Sequence, residues 1–174
     1  MDNMLKYFMG NTSKEFHIRE LARLAKKSPT TIAKELLALK KQGLLESSRK
    51  YNRMFYKADI NNPAFRDMKI AYNIKNIRKS GLIEFLSKDN PEAIILFGSA
   101  RKGDNSERSD IDIALVEPQK EEHNLEPYEK KLGHEIQIIC ITRKDISNMA
   151  VNNKEILNNI ANGIVLEGFF ELFR

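Results

Sequence analysis

Ile94-Ile95-Leu96-Phe97-Gly98-Ser99, and after a polar loop Ser109-Asp110-Ile111-Asp112-Ile113-Ala114-Leu115-Val116, decide how this chain is read. The two apolar runs have strand length, and they predict strands over 92–98 and 111–117. Side chains alternate between the faces of a strand, so Asp110 and Asp112 share one face, roughly 6–7 Å apart along the backbone. Ile111 and Ile113 turn to the other face and are available for a core. Two carboxylates on one face repel each other unless a cation sits between them, and hard divalent ions prefer such oxygen ligands. Gly98 lets the backbone pass close to a ligand. Ser99 is predicted at the N-cap of a short helix, where free N–H groups favour phosphate. The segment therefore reads as a phosphate cradle beside half of a metal site.

These residues carry a resemblance. Gly98-Ser99, the small and basic Ala100-Arg101-Lys102-Gly103, and Ser109-Asp110-Ile111-Asp112 resemble the signature of the minimal nucleotidyltransferases of the DNA polymerase β superfamily. Gly163-Ile164-Val165-Leu166-Glu167-Gly168 resembles the closing strand of those domains, so the likeness spans about residues 82–170. It implies a mixed β-sheet flanked by helices, a nucleoside triphosphate as substrate or ligand, and Mg²⁺ or Mn²⁺ held by Asp110 and Asp112. Gly98, Ser99, Arg101, Lys102 and Ser109 are the implied nucleotide-binding residues. In the family two metal ions bind three carboxylates and support in-line transfer of a nucleoside monophosphate. The third acid is expected from the strand His134-Glu135-Ile136-Gln137-Ile138-Ile139, at Gln137. An amide neither accepts a proton from a nucleophile nor adds negative charge. Glu135, two residues away on the same face, is the offset substitute and joins Asp110 and Asp112 as the catalytic candidates.

Charge divides the chain. Residues 1–80 hold 18 Lys and Arg against 7 Asp and Glu, a balance of +11; residues 81–174 hold 11 against 17, a balance of −6. Such asymmetry predicts two domains with different partners: a polyanion for the basic one and cations for the acidic one. A hydrophobic fraction of 41% suffices for packed cores. No apolar run approaches the ~20 residues of a membrane span, and no signal segment opens the chain. Cys140 is the single cysteine and lies among Ile138, Ile139 and Ile141, which predicts a buried, inert thiol. The expectation is a cytoplasmic protein without a membrane partner. His17, His123 and His134 lack metal-ligand spacing.

In the basic half, Met4, Leu5, Phe8 and Met9 predict a short helix, and Ile18, Leu21, Ala22 and Ala25 a second one. Ser28 suits an N-cap and Pro29 the first helical position of a third, with Ile32, Leu36 and Leu39 inward and Gly43 as its stop. Leu44–Ser47 and Met54–Lys57 predict two strands joined by residues 48–53. That order resembles the winged helix-turn-helix, which implies double-stranded DNA as partner. Thr30, Thr31 and Lys34 would enter the major groove, with Lys27 nearby, and Arg49, Lys50, Tyr51 and Arg53 would form the wing.

The predicted architecture is a mixed α+β and α/β chain: a winged helix-turn-helix at 1–60, a connecting helix at 61–81, and a nucleotidyltransferase-fold domain at 82–174. Helix-turn-helix proteins bind symmetric half-sites, which predicts a homodimer. The function expected is a transcription regulator whose second domain binds Mg²⁺·nucleoside triphosphate and is catalytically weakened by Gln137. The alternative is an active transferase that modifies a protein or small-molecule acceptor, or an antitoxin-like protein with a toxin partner.

Overall fold

The computed structural model describes residues 4–117 and 123–172, and these form two compact units that divide between Lys69 and Ile70. The first unit contains α1 (Leu5–Met9), β1 (Phe16–His17), α2 (Ile18–Ala25), α3 (Pro29–Lys41), β2 (Leu45–Lys50) and β3 (Arg53–Ala58). Its antiparallel sheet has the order β1-β3-β2. Local chemistry sets the helix starts. His17 Nδ1 accepts the Glu20 N–H at 3.2 Å to cap α2, and Ser28 Oγ accepts the Thr31 N–H at 3.1 Å ahead of Pro29 in α3. Leu5, Phe8, Met9, Leu21, Ile32, Leu36 and Leu39 are buried from the helices, Leu45, Tyr56 and Ala58 from the hairpin.

The hairpin is longer than its apolar pattern predicts. Pairing continues through Ser48↔Phe55, Arg49↔Met54 and Lys50↔Arg53, so the six-residue connection expected at 48–53 shrinks to Tyr51-Asn52. Both turn residues have positive φ, +50° and +58°, as a two-residue primed turn requires. Polar residues extend the ladder because backbone pairing needs no apolar side chain.

α4 (Pro63–Ser80) contributes to each unit. Phe65 is buried and Lys69 donates to the Met9 carbonyl at 2.5 Å in the first, whereas Ile74 and Ile77 pack in the second.

The second unit continues with α5 (Leu82–Leu86), β4 (Ala93–Phe97), α6 (Gly98–Lys102), β5 (Ile111–Val116), α7 (Glu126–Leu132), β6 (Ile136–Ile141), α8 (Arg143–Asn152), α9 (Lys154–Ala161) and β7 (Ile164–Gly168). Its mixed sheet runs β6-β5-β4-β7, with β5 parallel to β6 and β4 antiparallel to both β5 and β7. Every residue of the central strand β4 is buried, as helix cover on both faces demands. Ile94, Leu96, Ile111 and Ile113 face α4, α5 and α7 through Ile77, Leu82, Leu86 and Tyr128. Ala93, Ile95, Phe97, Ala114 and Val116 face α8 and α9 through Ile146, Leu157 and Ile160. Cys140, expected to be buried, is half-buried on the first of these layers. Among the described residues no helix is long and apolar enough to cross a membrane.

Candidate functional site

Strand β4 ends at Phe97, which pairs with Asp112, and Asp112 pairs on its other side with Gln137. The chain must turn immediately after Phe97, and Gly98 takes the corner at φ +66°. A Cβ there would come within 2.7 Å of Asp112 Cγ and closer still to Oδ2, so both the conformation and the space demand glycine. This corner corrects one expectation. Ser99 is not the N-cap of α6; Phe97 occupies that position without a side-chain cap. With Gly98 making the bend, Ser99 offers its backbone N–H, and the acceptor is the Asp112 carboxylate.

Asp110 lies one residue before β5, because ladder pairing with β6 begins at Ile111↔Ile136. Both aspartates are half-buried. Burial first, and the charge of Asp110 second, push the Asp112 carboxyl above its ordinary value, while the Ser99 N–H opposes the shift. Gln137 Nε2 donates to Asp110 Oδ2 at 2.6 Å. The position expected to supply a third acid is thus filled by an amide that neutralises nothing and holds one acid by hydrogen bond. Glu135 is exposed, and its carbonyl accepts the Ile111 N–H at 2.9 Å. Among the described residues no group of three or more His, Cys, Asp and Glu is arranged to hold a metal ion.

The loop between α6 and β5 is tied at several points. Ser109 Oγ accepts the Ser106 N–H at 2.9 Å, and the Ser109 carbonyl accepts the Nδ1–H of His134 at 2.8 Å. Asn73 of α4 donates Nδ2 at 2.8 Å both to the Ala100 carbonyl and to Asn105 Oδ1. Asn73 and Asn105 are buried, a placement that sequence reading missed, since isolated asparagines carry no periodic signal. Arg101 is half-buried, with Nε lacking a hydrogen-bond partner among the described residues, and Lys102 is exposed. Ser109 is engaged inside its own loop, so its hydroxyl serves loop shape first.

In the first unit Thr30, Lys34, Arg49, Tyr51 and Arg53 are exposed, Tyr51 to 94%. Thr31 is exposed but engaged in the α3 cap, its hydroxyl 2.8 Å from Ser28 Oγ. Lys27 pairs with Glu35 at 2.6 Å and Lys50 with Glu15 at 2.7 Å. A shallow groove of about 450 Å³ runs between the start of α2, the start of α3 and the hairpin tip, lined by His17, Arg19, Pro29, Asn52, Arg53 and Met54. Arg19 was not among the residues expected there.

A mixed sheet bearing a glycine-serine corner opposite an Asp-x-Asp strand start defines the nucleotidyltransferase class. The family model described as "Polymerase beta, Nucleotidyltransferase" matches residues 80–167, and the chain belongs to that family. No curated protein matches the chain.

Proposed function

We propose that the second unit binds a nucleoside triphosphate with one divalent cation and transfers its nucleotidyl group poorly, and that the first unit is a DNA-binding winged helix-turn-helix. The observation that carries the first part is the Gln137–Asp110 hydrogen bond, in register with Asp112. Asp110 and Asp112 supply a donor set that suits one hard cation, and their mutual repulsion, felt at Asp112, is what such an ion relieves. Mg²⁺ or Mn²⁺, when bound, would neutralise triphosphate charge and act as a Lewis acid. The residues do the positioning. Gly98 brings the backbone close, the α6 start offers N–H groups, and Asn73 and His134 fix the loop that leads into Asp110. A second cation would need the missing third carboxylate.

Three features support DNA binding. The order helix, short strand, helix, helix, hairpin is that of the motif. Residues 1–69 carry 15 Lys and Arg against 7 Asp and Glu, an excess of +8. Thr30, Lys34, Arg49, Tyr51 and Arg53 are exposed on the α3 start and the hairpin tip.

The test has two arms. Calorimetric titration of ATP and GTP with Mg²⁺ is expected to show binding that Asp112→Ala abolishes, and heat unaffected by Asp112→Ala refutes the site. Labelled ATP with Mn²⁺ and acceptors is expected to give little product. Brisk transfer that disappears in Asp110→Asn favours the active-transferase alternative, in which the exposed Glu135 replaces the third acid.

A further inference from the structure

At the end of the sheet opposite Asp112, about 16 Å away at strand rise per residue, an open pocket sits where β5 and β6 finish and β4 begins. Its volume is about 570 Å³, and Asn90, Glu92, Glu117, Thr142, Arg143 and Lys144 line it with Val116. Most polar groups there are committed. Arg143 donates Nε to Glu92 Oε2 at 2.9 Å, forms an ion pair with that carboxylate and donates Nη1 to the Glu171 carbonyl. Thr142 and Asp145 close a reciprocal capping box at the start of α8.

Among the buried groups Glu117 is the exception. It is only 4% exposed, its N–H is spent on the Ile141 carbonyl at 3.0 Å, and the residue is one of those lining the pocket. Among the described residues Oε1 has no hydrogen-bond partner and no ion pair reaches the carboxylate. A buried carboxylate without a partner destabilises a fold, so a sequence that keeps one invites the question of what completes it.

We infer that this pocket binds a small molecule bearing a primary ammonium group, seated on Glu117. A hard divalent ion needs six or more oxygen ligands, and a single carboxylate supplies at most two of them. An anion is refused by Glu117 itself. One ammonium group satisfies the carboxylate with up to three donors, and the remaining pocket volume accommodates an organic body. Lys144 stands exposed at the rim, without a partner among the described residues, and repels the same cation mildly, which provides an independent handle.

The full-length protein is titrated with n-butylammonium chloride at constant ionic strength, and ¹H–¹⁵N spectra are recorded. Saturable shifts are expected at Glu117 and Thr142–Asp145 with a dissociation constant on the order of millimolar. n-Butanol, the neutral counterpart, should leave those signals in place. Glu117→Gln should weaken binding by about tenfold or more, and Lys144→Glu should tighten it about threefold. Asp112→Asn, at the other end of the sheet, should leave the affinity as it was. Equal shifts from butanol, unweakened binding in Glu117→Gln, or loss of binding in Asp112→Asn each overturn the inference. If Glu117→Gln does not fold, Lys144→Glu decides: unchanged or weaker affinity there also overturns it.

Discussion

Replacing Gly98 by alanine probes the corner on which the proposed nucleotide site rests. The φ of +66° costs a residue with a Cβ roughly 1–2 kcal/mol. The new Cβ would also collide with the Asp112 carboxylate, which must rotate away and surrender the Ser99 N–H. Losing a hydrogen bond to a charged acceptor costs about 1.5–3 kcal/mol. Alanine regains roughly 0.4–1 kcal/mol by stiffening the unfolded chain. Gly98→Ala should therefore destabilise the second unit by roughly 2–4 kcal/mol, a large share of the ~5–15 kcal/mol typical of a domain. Urea denaturation followed by hydrogen exchange at β4 and β5 amides measures this. Mg²⁺·ATP binding should fall with it, because Asp112 is displaced. A loss under ~1 kcal/mol with binding retained would show that the corner tolerates a side chain, and the geometric argument for the site would fail.

Other consequences are equally open to measurement. Burial and Asp110 raise the Asp112 carboxyl, so ionised Asp112 detracts from stability above the usual carboxylate range and the penalty lifts as pH falls; Asp112→Asn, which keeps an acceptor for Ser99, should stabilise the free protein at pH 7 and lose that advantage in acid. Desolvation lowers the Lys69 amine to about 8, so its contribution to stability is present above the unfolded lysine range and lost as pH falls through 8; wild type should gain roughly 2–3 kcal/mol relative to Lys69→Met between pH 7 and about 10.5, and parallel curves would refute this. Asn73→Ala removes two buried hydrogen bonds and should cost about 2–4 kcal/mol in the second unit, read by thermal unfolding. Arg53→Ala should lower the salt slope of DNA binding by about 1, while Lys50→Ala, already paired with Glu15, should change it less.

Much of this was legible because strong local signals agreed. Gly98, the alternation of Asp110 and Asp112 with Ile111 and Ile113, and the Ser28-Pro29 helix start each satisfy a backbone or face requirement that few other residues meet. The hairpin was not, because Ser48, Arg49 and Lys50 are polar and an apolar count stops before the backbone pairing does. The role of Ser99 was misassigned because side-chain capping and backbone donation look alike until the bend at Gly98 fixes which group faces Asp112. Gln137 could be flagged as the wrong residue for a third ligand, but only the β5–β6 register brings its amide to Asp110. The Asn73 clamp joins residues 27 and 32 positions apart, and no spacing rule encodes such a contact. Glu117 follows the same logic: a glutamate at a strand end reads as solvated until its burial is seen.

Counting bound Mn²⁺ by electron paramagnetic resonance, with a non-hydrolysable ATP analogue present, tests the central claim most directly. One ion per chain is predicted for the wild type and two for Gln137→Asp, whose new carboxylate completes the set with Asp110 and Asp112. No bound Mn²⁺, or two ions in the wild type, would contradict the account.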